Sequence, residues 1–557
     1  MQSTFHGLET ARRAMMTQQS ALHTTGHNIA NANTPGYSRQ RVNFTQTEPY
    51  PGIGKNSPMM PGQVGTGVKA GSIQRVREHF LDIQFRNENN KVGYYGARYE
   101  SLTRMEDILN EPSEQGLASL VDQFWGAMQD LNGDADDAGA RAVARRRAEE
   151  IADTFQYMHS SLTTVKNDYK AEIDVTVKKV NSLLSQLNEV NKQIRSVEPH
   201  GYVTNDLYDE QDRILDQLSS IIDIDTKREK SDGKPNEVAE GAVTVTLKGS
   251  DTVLVDALNA DAIQTLGVSY NDEGTAVKGL IVGSEDPVAI DALQRGELKA
   301  LAEAFGYMID PEDDDSEVAG TYPDMIANLN EMAKNFAEEV NNIHKIGYTL
   351  DVVGQPTELG GNFFNVPADG DITAANIRVD ANIMKSLNNI AAAGVNTDAL
   401  TADARTRYED LINVRPEERD YEEIRNVLSD PDNYIEGVTK AFAGDGSNAR
   451  LMANMKDTLL TFGTGDNATT ATLTSFYQGV IGEMAVETQE AGRMLGSSEG
   501  LRTSVEFNRQ SVSNVSLDEE MTMMIQYQHA YNAAARNITT IDEMLDRIIN
   551  GMGVVGR

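Results

Sequence analysis

The chain has 557 residues, 39% hydrophobic and 24% charged, an ordinary make-up for a soluble folded protein, with length for about four domains. Its 85 Asp and Glu outnumber 49 Lys and Arg, a formal net charge of −36, which argues against a nucleic-acid partner and against docking on anionic lipid. Cysteine is absent, which excludes disulfides, Cys-zinc centres and Cys nucleophiles.

The first element predicted is a helix from about Thr4 to Ala30. Leu8, Met15, Leu22 and Ile29 recur every seven residues and line one seam. The N-terminus before it lacks the basic and apolar regions of a signal peptide, so export would need another route. Asn31-Ala-Asn-Thr-Pro-Gly-Tyr37 follows. Pro35 fixes φ and Gly36 permits φ > 0, which predicts a type II turn that stops the helix. Ser38 to Phe44 alternates as a short extended arm. Helices are expected over about Ile73–Leu109 and Leu117–Leu131, and Ala140–His159 should run on into a rod. In that rod Tyr169, Thr176, Leu183, Val190 and Val197 form one heptad line, and Ile173, Val180, Leu187 and Ile194 the other. A further amphipathic helix covers Asn205–Ile222.

Lys227 to Pro235 reads as a polar breaker, after which alternating Val243, Val245 and Leu247 begin a β-hairpin unit lasting to about Ile290. Helices are expected again at Gly296–Tyr307 and Tyr322–Lys345, separated by an acidic loop over Pro311–Glu317. The stretch from Gly347 to about Asp445 is rich in Gly, Asn and Asp, with short strand and helix pieces. Helices resume at Ala449 and at Leu473–Met494. At the C-terminus Leu517, Met524, Tyr531, Ile538, Leu545 and Met552 again recur every seven residues, with Tyr527, Ala534, Ile541 and Ile548 as a second line. Ser516 and Glu519 have capping-box spacing. Periodicity does not say whether these seams pack inside one molecule or between copies.

The fold class this predicts is mainly α with β insertions: terminal coiled-coil helices, a helical-bundle rod domain and small β-containing outer domains. The partition is an N-terminal heptad helix and arm over 1–50, rod segments over 51–226, 296–346 and 449–515, a small β-rich subdomain over 227–295, an inserted α/β or β-rich outer domain over 347–448, and the C-terminal heptad helix over 516–557.

Catalytic signals are poor. Gly496-Ser-Ser-Glu-Gly500 has the hydrolase-elbow spacing but no strand before it, and is expected to break a helix instead. Asp518 and His529 follow in triad order, yet 11 residues of helix hold them about 16 Å apart. Gly65 to Gly71 misses a dinucleotide-loop spacing by one residue. The acidic loop lacks the ligand order of an EF-hand. His23 and His27 stand at i, i+4 with no third ligand nearby. No catalytic residue, metal ligand or cofactor site is assigned.

Asn28 to Tyr37, placed just after a heptad helix and answered by a C-terminal heptad helix, resembles the signature of flagellar rod, hook and hook-associated proteins, with Asn31, Thr34, Pro35, Gly36 and Tyr37 as the turn motif. Gly67-Val68, Ile73-Gln-Arg75, Phe80-Leu81, Asn205 to Asp212, Gly296 to Lys299, Val340 to Gly347, Phe363-Phe364 and Gly444 to Ala449 narrow the resemblance to the flagellar hook-associated protein 1 family. The resemblance covers nearly the whole chain and is weakest over Val352–Asp445. It implies a secreted, non-enzymatic structural protein at the hook–filament junction, exported unfolded through the flagellar type III apparatus. The implied partners are further copies of itself, the hook protein, the second hook–filament junction protein, and a cytoplasmic export chaperone that masks the C-terminal helix. Hook and distal rod proteins share the Asn31–Tyr37 turn and are the nearest alternative; they should lack the long rod helix over Leu162–Val197.

Overall fold

The computed structural model describes residues 4–551 apart from 53, 56, 58–61, 110–112, 114–115, 251, 260–262, 284–286, 314–315, 352–353, 369 and 464–467. The protein is mainly α with small β insertions. Helix α1 (Thr4–Ala30) leads into strands β1 (Gln40–Gln46) and β2 (Val68–Arg75), which pair antiparallel. Helices α2 (His79–Leu109), α3 (Leu117–Gly133), α4 (Ala138–Val197) and α5 (Asn205–Ile221) follow. Ile73, expected to begin a helix, lies in β2 opposite Val42, so α2 starts six residues later. The β-branched and apolar residues between Val68 and Ile73 have a partner strand in Gln40–Gln46, and the ladder overrides the helical pattern there.

Helix α4 is 60 residues long and is the axis of the molecule. Asp137 caps it, its carboxylate accepting from Ala140 N at 2.8 Å. Ile173, Val180, Leu187 and Ile194 are fully buried and Tyr169, Thr176, Leu183 and Val190 nearly so. Their partners are several helices and a sheet of the same chain, so the heptad lines build a globular bundle core rather than a two-stranded coiled coil. Arg141, also fully buried, donates to the carbonyls of Ala135, Leu387 and Ile390.

Strands β3 (Ile224–Glu229), β4 (Ala242–Leu247) and β5 (Thr252–Val255) form one antiparallel sheet. Lys227, Arg228 and Glu229 are therefore strand, not breaker: each is paired across to Thr244, Val243 or Ala242, and Arg228 has its charge satisfied by Asp212 at 2.6 Å. Strands β6 (Leu266–Tyr270) and β7 (Val277–Val282) form a second sheet. It is extended by β8 (Tyr307–Met308) and β9 (Val318–Ala319), which lie beyond helix α6 (Glu297–Phe305). Helix α7 (Thr321–Lys345) closes the bundle.

The segment after α7 divides in its packing. It carries β10 (Tyr348–Leu350), β11 (Pro356–Leu359), α8 (Ala381–Lys385), α9 (Ala402–Ile412) and α10 (Tyr421–Ser429). Phe363 and Phe364 join Phe124, Trp125 and Phe336 in one aromatic cluster with neighbouring rings 5.0–6.1 Å apart. Asn341 Oδ1 accepts from both Phe363 N and Phe364 N at 2.7 Å. Phe363, Phe364, Ile377, Ile390 and Ala392 thus belong to the bundle core, whereas Leu400, Ala404, Ile424, Val427 and Leu428 form a separate small core with Ile346 after the end of α7. Helix α11 (Ser447–Asn454) and strands β12 (Leu460–Phe462) and β13 (Thr469–Ala471) lead to α12 (Leu473–Ser513) and α13 (Leu517–Gly551).

Helix α12 passes unbroken through Gly496–Gly500, against the expected break. It lies antiparallel on α2: Arg98 meets Glu487, Arg502 donates to Asn89, and Arg509 reaches Asp82. Ser498 is buried in that interface. A Cβ on Gly492 would stand 3.0 Å from the Tyr99 ring, so close packing of the two helices fixes the conformation that glycine would otherwise loosen.

Candidate functional site

The two terminal helices meet. Asn28 Nδ2 donates to Glu520 Oε2 at 3.0 Å, and a Cβ on Gly7 would stand 3.3 Å from Ile541, so α1 and α13 pair antiparallel along their length. Ala11, Ala21 and Ala534 are buried in this two-helix ribbon. On α1, Leu8, Met15, Leu22 and Ile29 are all half-buried; on α13, so are Met524, Tyr531, Ile538 and Leu545. Leu517 is exposed and Met552 lies outside the described residues. Other large apolar side chains of the ribbon are exposed: Met16 (55%), Met521 (57%), Ile525 (54%) and Ile549 (69%). A ribbon of two helices cannot bury a second apolar face by itself.

At its base the ribbon is joined to the bundle through the Asn31–Tyr37 turn. Tyr37 N donates to Thr34 O at 3.2 Å and Gly36 has φ +82, the type II geometry expected of Pro-Gly. Thr34 Oγ1 donates to Asn31 Oδ1, and Asn31 Nδ2 to His27 O. Tyr37 OH donates to Asn28 Oδ1 and stands 2.9 Å from His27 Nδ1. Burial, with Asp206, Asp209 and Glu520 close by, raises the Tyr37 phenol above its usual range. The residues after the turn reach outward. Ser38 N donates to Asp209 Oδ2 at 3.0 Å, and Gln40 Nε2 to Asp206 Oδ1 at 2.7 Å. Arg39 bonds both Glu520, at 2.7 Å, and Glu519, at 2.9 Å. Glu519, expected to close a capping box with Ser516, thus serves as an acceptor for the arm.

Behind the turn lies a buried cluster of charges that the sequence reading did not find. Arg75, the last residue of β2, has a side chain with no exposed surface; it bonds Asp209 at 2.8 Å, Asp212 at 2.9 Å and Glu240, and lies over the Tyr208 ring. Arg77 bonds Asp82 and Ser38. Arg86 bridges Asp212 and Asp216, Arg228 bonds Asp212, and Arg509 bonds Asp216. Burial opposes ionisation of Asp212, but Arg228, Arg77, Arg75 and Arg86 together hold its carboxyl well below the usual range. Burial likewise opposes the Arg75 charge, and Asp212, Glu240 and Asp209 overcome it. At Asp209 burial wins and its pKa is raised, although Arg75 and Ser38 bond it. The visible signal was the run Asn205 to Asp212, of which Asp209 and Asp212 fall on the buried face of α5; the arginines of the cluster come from β2, the link after it, α2, β3 and α12 and share no spacing with it.

Such an array positions chain segments; it holds no nucleophile beside a base. Ser498 is enclosed in a helix interface, and His529 lies on α13. Among the described residues, no group of three or more His, Asp or Glu is arranged to hold a metal ion, and no helix is long and apolar enough to cross a membrane.

Comparison with known proteins places this geometry. Family models match at residues 102–364, the flagellar hook-associated protein FlgK helical domain; at 8–37, the flagella basal body rod protein; and at 508–551, the flagellar basal body rod FlgEFG protein C-terminal. Flagellar hook-associated protein 1 of Bacillus subtilis is 39% identical over 561 residues, covering 100% of both chains. The chain belongs to the flagellar hook-associated protein 1 family. The Escherichia coli member is 23% identical, covering 98% of this chain and 99% of its own. The structure of the flagellar hook junction protein FlgK from Burkholderia pseudomallei superposes with a TM-score of 0.54 at 15% identity, over 77% of this chain and 100% of that one, a likeness of fold. The protein is accordingly a structural, hook-associated component of the bacterial flagellum and not an enzyme. Its two rod-type matches fall on α1 with its turn and on α13, the two helices of the ribbon.

Proposed function

We propose that the protein forms the hook–filament junction by lateral packing of its α1–α13 ribbons into a tube, with the bundle and the 395–440 lobe facing outward. The observation that carries this is the ribbon itself: it half-buries the heptad lines Leu8, Met15, Leu22, Ile29 and Met524, Tyr531, Ile538, Leu545 inside one molecule, yet leaves Met16, Leu517, Met521 and Ile525 exposed on its other faces. Neighbouring copies, the hook protein below and the second junction protein above would cover those faces. The protein reaches this place through the flagellar type III apparatus, and α13 is the segment that a cytoplasmic chaperone would shield beforehand, since it displays the most exposed apolar side chains of the two helices.

Met521→Asp tests the reading. An exposed site tolerates the change within about 0.5 kcal/mol in the free protein, whereas burying a carboxylate against an apolar neighbour in the tube costs several kcal/mol. Cells carrying it should still export the protein and shed unanchored filament subunits into the medium. Normal filaments and normal motility would overturn the assignment of this face.

A further inference from the structure

We propose that the buried charge cluster is a rigid elbow, pinned by Arg75, that fixes the angle between the terminal ribbon and the helical bundle. Two bodies meet there. One consists of α1, α13 and the β1–β2 hairpin, tied together by Thr17 Oγ1 to Val68 O, Arg13 to Thr66 O, Asn28 Nδ2 to Gln40 O, and the Asn28–Glu520 bond. The other is the bundle. The chain crosses between them at 75–79 and 513–517, two short segments that taken alone would let the ribbon swing, while the turn at 31–39 joins α1 to β1 within the first body and lies against the second.

What fills the crossing is charge rather than apolar surface. Arg75 belongs to the hairpin body, but its guanidinium is wholly enclosed by bundle groups: Asp209 and Asp212 of α5, Glu240 before β4, and the Tyr208 ring. Ser38 is fastened from both sides, its N–H to Asp209 and its Oγ from Arg77. Arg39 N donates to Ser513 O at 2.8 Å, which ties the arm to the end of α12, while the Arg39 side chain holds the start of α13. Charge-assisted bonds of fixed direction, several to one guanidinium, hold an orientation that apolar contact would allow to slide. The competing arginines are each engaged: Arg77 and Arg509 by Asp82, Arg86 by Asp212 and Asp216, and Arg228 by Asp212 and Glu240. Removing Arg75 therefore leaves Asp212 with cationic partners inside the bundle and takes away the buried charge-assisted bonds between the bodies.

The absence of native cysteine allows paired spin labels. Labels at Met16→Cys on α1 and Asn87→Cys on α2 report ribbon against bundle; labels at Asn87→Cys and Tyr157→Cys report the bundle alone. The elbow predicts a narrow ribbon–bundle distance distribution in the free protein. Arg75→Gln should broaden it while the bundle pair stays narrow, and amides of 34–39 and β2 should exchange at least tenfold faster with α4 protection unchanged. Arg75→Lys, one point charge for a fork, should fall between. A broad distribution in the unaltered protein, or a narrow one retained by a folded Arg75→Gln protein, would overturn the proposal. Should Arg75→Gln not fold, Arg75→Lys decides alone, since it keeps the charge and loses the fork; a ribbon–bundle distribution as narrow as that of the unaltered protein would then overturn the proposal. None of these outcomes depends on which proteins adjoin the ribbon.

Discussion

His344 shows how completely a polar group can be absorbed into this core. It is fully buried at the end of α7; Ala391 N donates to its Nε2 at 2.8 Å, so its Nδ1 carries the hydrogen donated to Gly361 O. Burial, only partly offset by the bond to Gly361 and the charge of Asp380, lowers its pKa from 6.5 to about 4, and the ring is neutral in the native state. Because the unfolded ring takes up its proton first, this site's contribution is whole above pH 6.5 and declines as pH falls toward 4, by roughly 3 kcal/mol for a shift of this size. Thermal melts should show the loss over that window. His344→Gln should melt lower at pH 7 and lose much less on acidification. Asp212 behaves in the opposite range: its native pKa lies well below 3.8, so its contribution persists until the pH falls below the ordinary carboxylate value. The contacts of Asp212 with its arginines should outlast the His344 region in an acid titration followed by residue-resolved exchange.

At the scale of elements, close approach decides more than propensity. A Cβ on Gly93 of α2 would fall 1.9 Å from Ser220 O of α5 and 3.4 Å from Glu297 N of α6. Three helices therefore converge on one glycine, whose lack of a side chain outweighs its cost of about 1 kcal/mol in a helix. Gly93→Ala should force the helices apart and destabilise the bundle by more than the usual 1–3 kcal/mol of overpacking, read as a fall in the denaturation midpoint. In the ribbon, Ile538→Asp and Met521→Asp separate two roles. Ile538 is half-buried between α13 and its surroundings and should loosen the free ribbon, detected as faster exchange in α1; Met521 should not. The sequence showed most of these elements because amphipathic helices repeat their own pattern: the bounds of α1, α3, α5 and α7 follow directly from apolar periodicity and turn residues. It hid β2, whose pairing depends on a strand thirty residues earlier, and β3, where charged Lys227–Glu229 look like loop until Asp212 supplies a counter-charge. Gly496 and Gly500 looked like a helix end because nothing local reveals that α2 lies against the opposite face. The charge cluster was illegible for the same reason: single residues of β2, α2, β3 and α12 converge on α5 only after folding.

Across the whole molecule, the same logic decides what can be removed. Taking out 347–445 would strip Phe363 and Phe364 from the aromatic cluster around Phe124, Trp125 and Phe336, and should cost the bundle its cooperative melt and helical circular dichroism. Taking out 397–439 is different: Asn396 N and Lys440 O already lie 2.7 Å apart, so the ends can be joined, and most of the small core around Leu400, Ile424 and Leu428 leaves with the excised piece, with Ile346 the buried member left behind. The shorter deletion should keep the helical signal and lower the melting point only modestly; loss of the cooperative transition would show that the lobe supports the bundle. The bond between Asn28 and Glu520 has a consequence of another kind. It spans 492 positions and joins the first helix to the last, so the ribbon has half its substance at each end of the chain. A chain delivered one end first, or broken off early, has nothing for its leading helix to pair with until the final residues arrive. Completion of the ribbon thus certifies that everything between the two helices has been made, and a product broken off before α13 would be left out of any assembly built from ribbons.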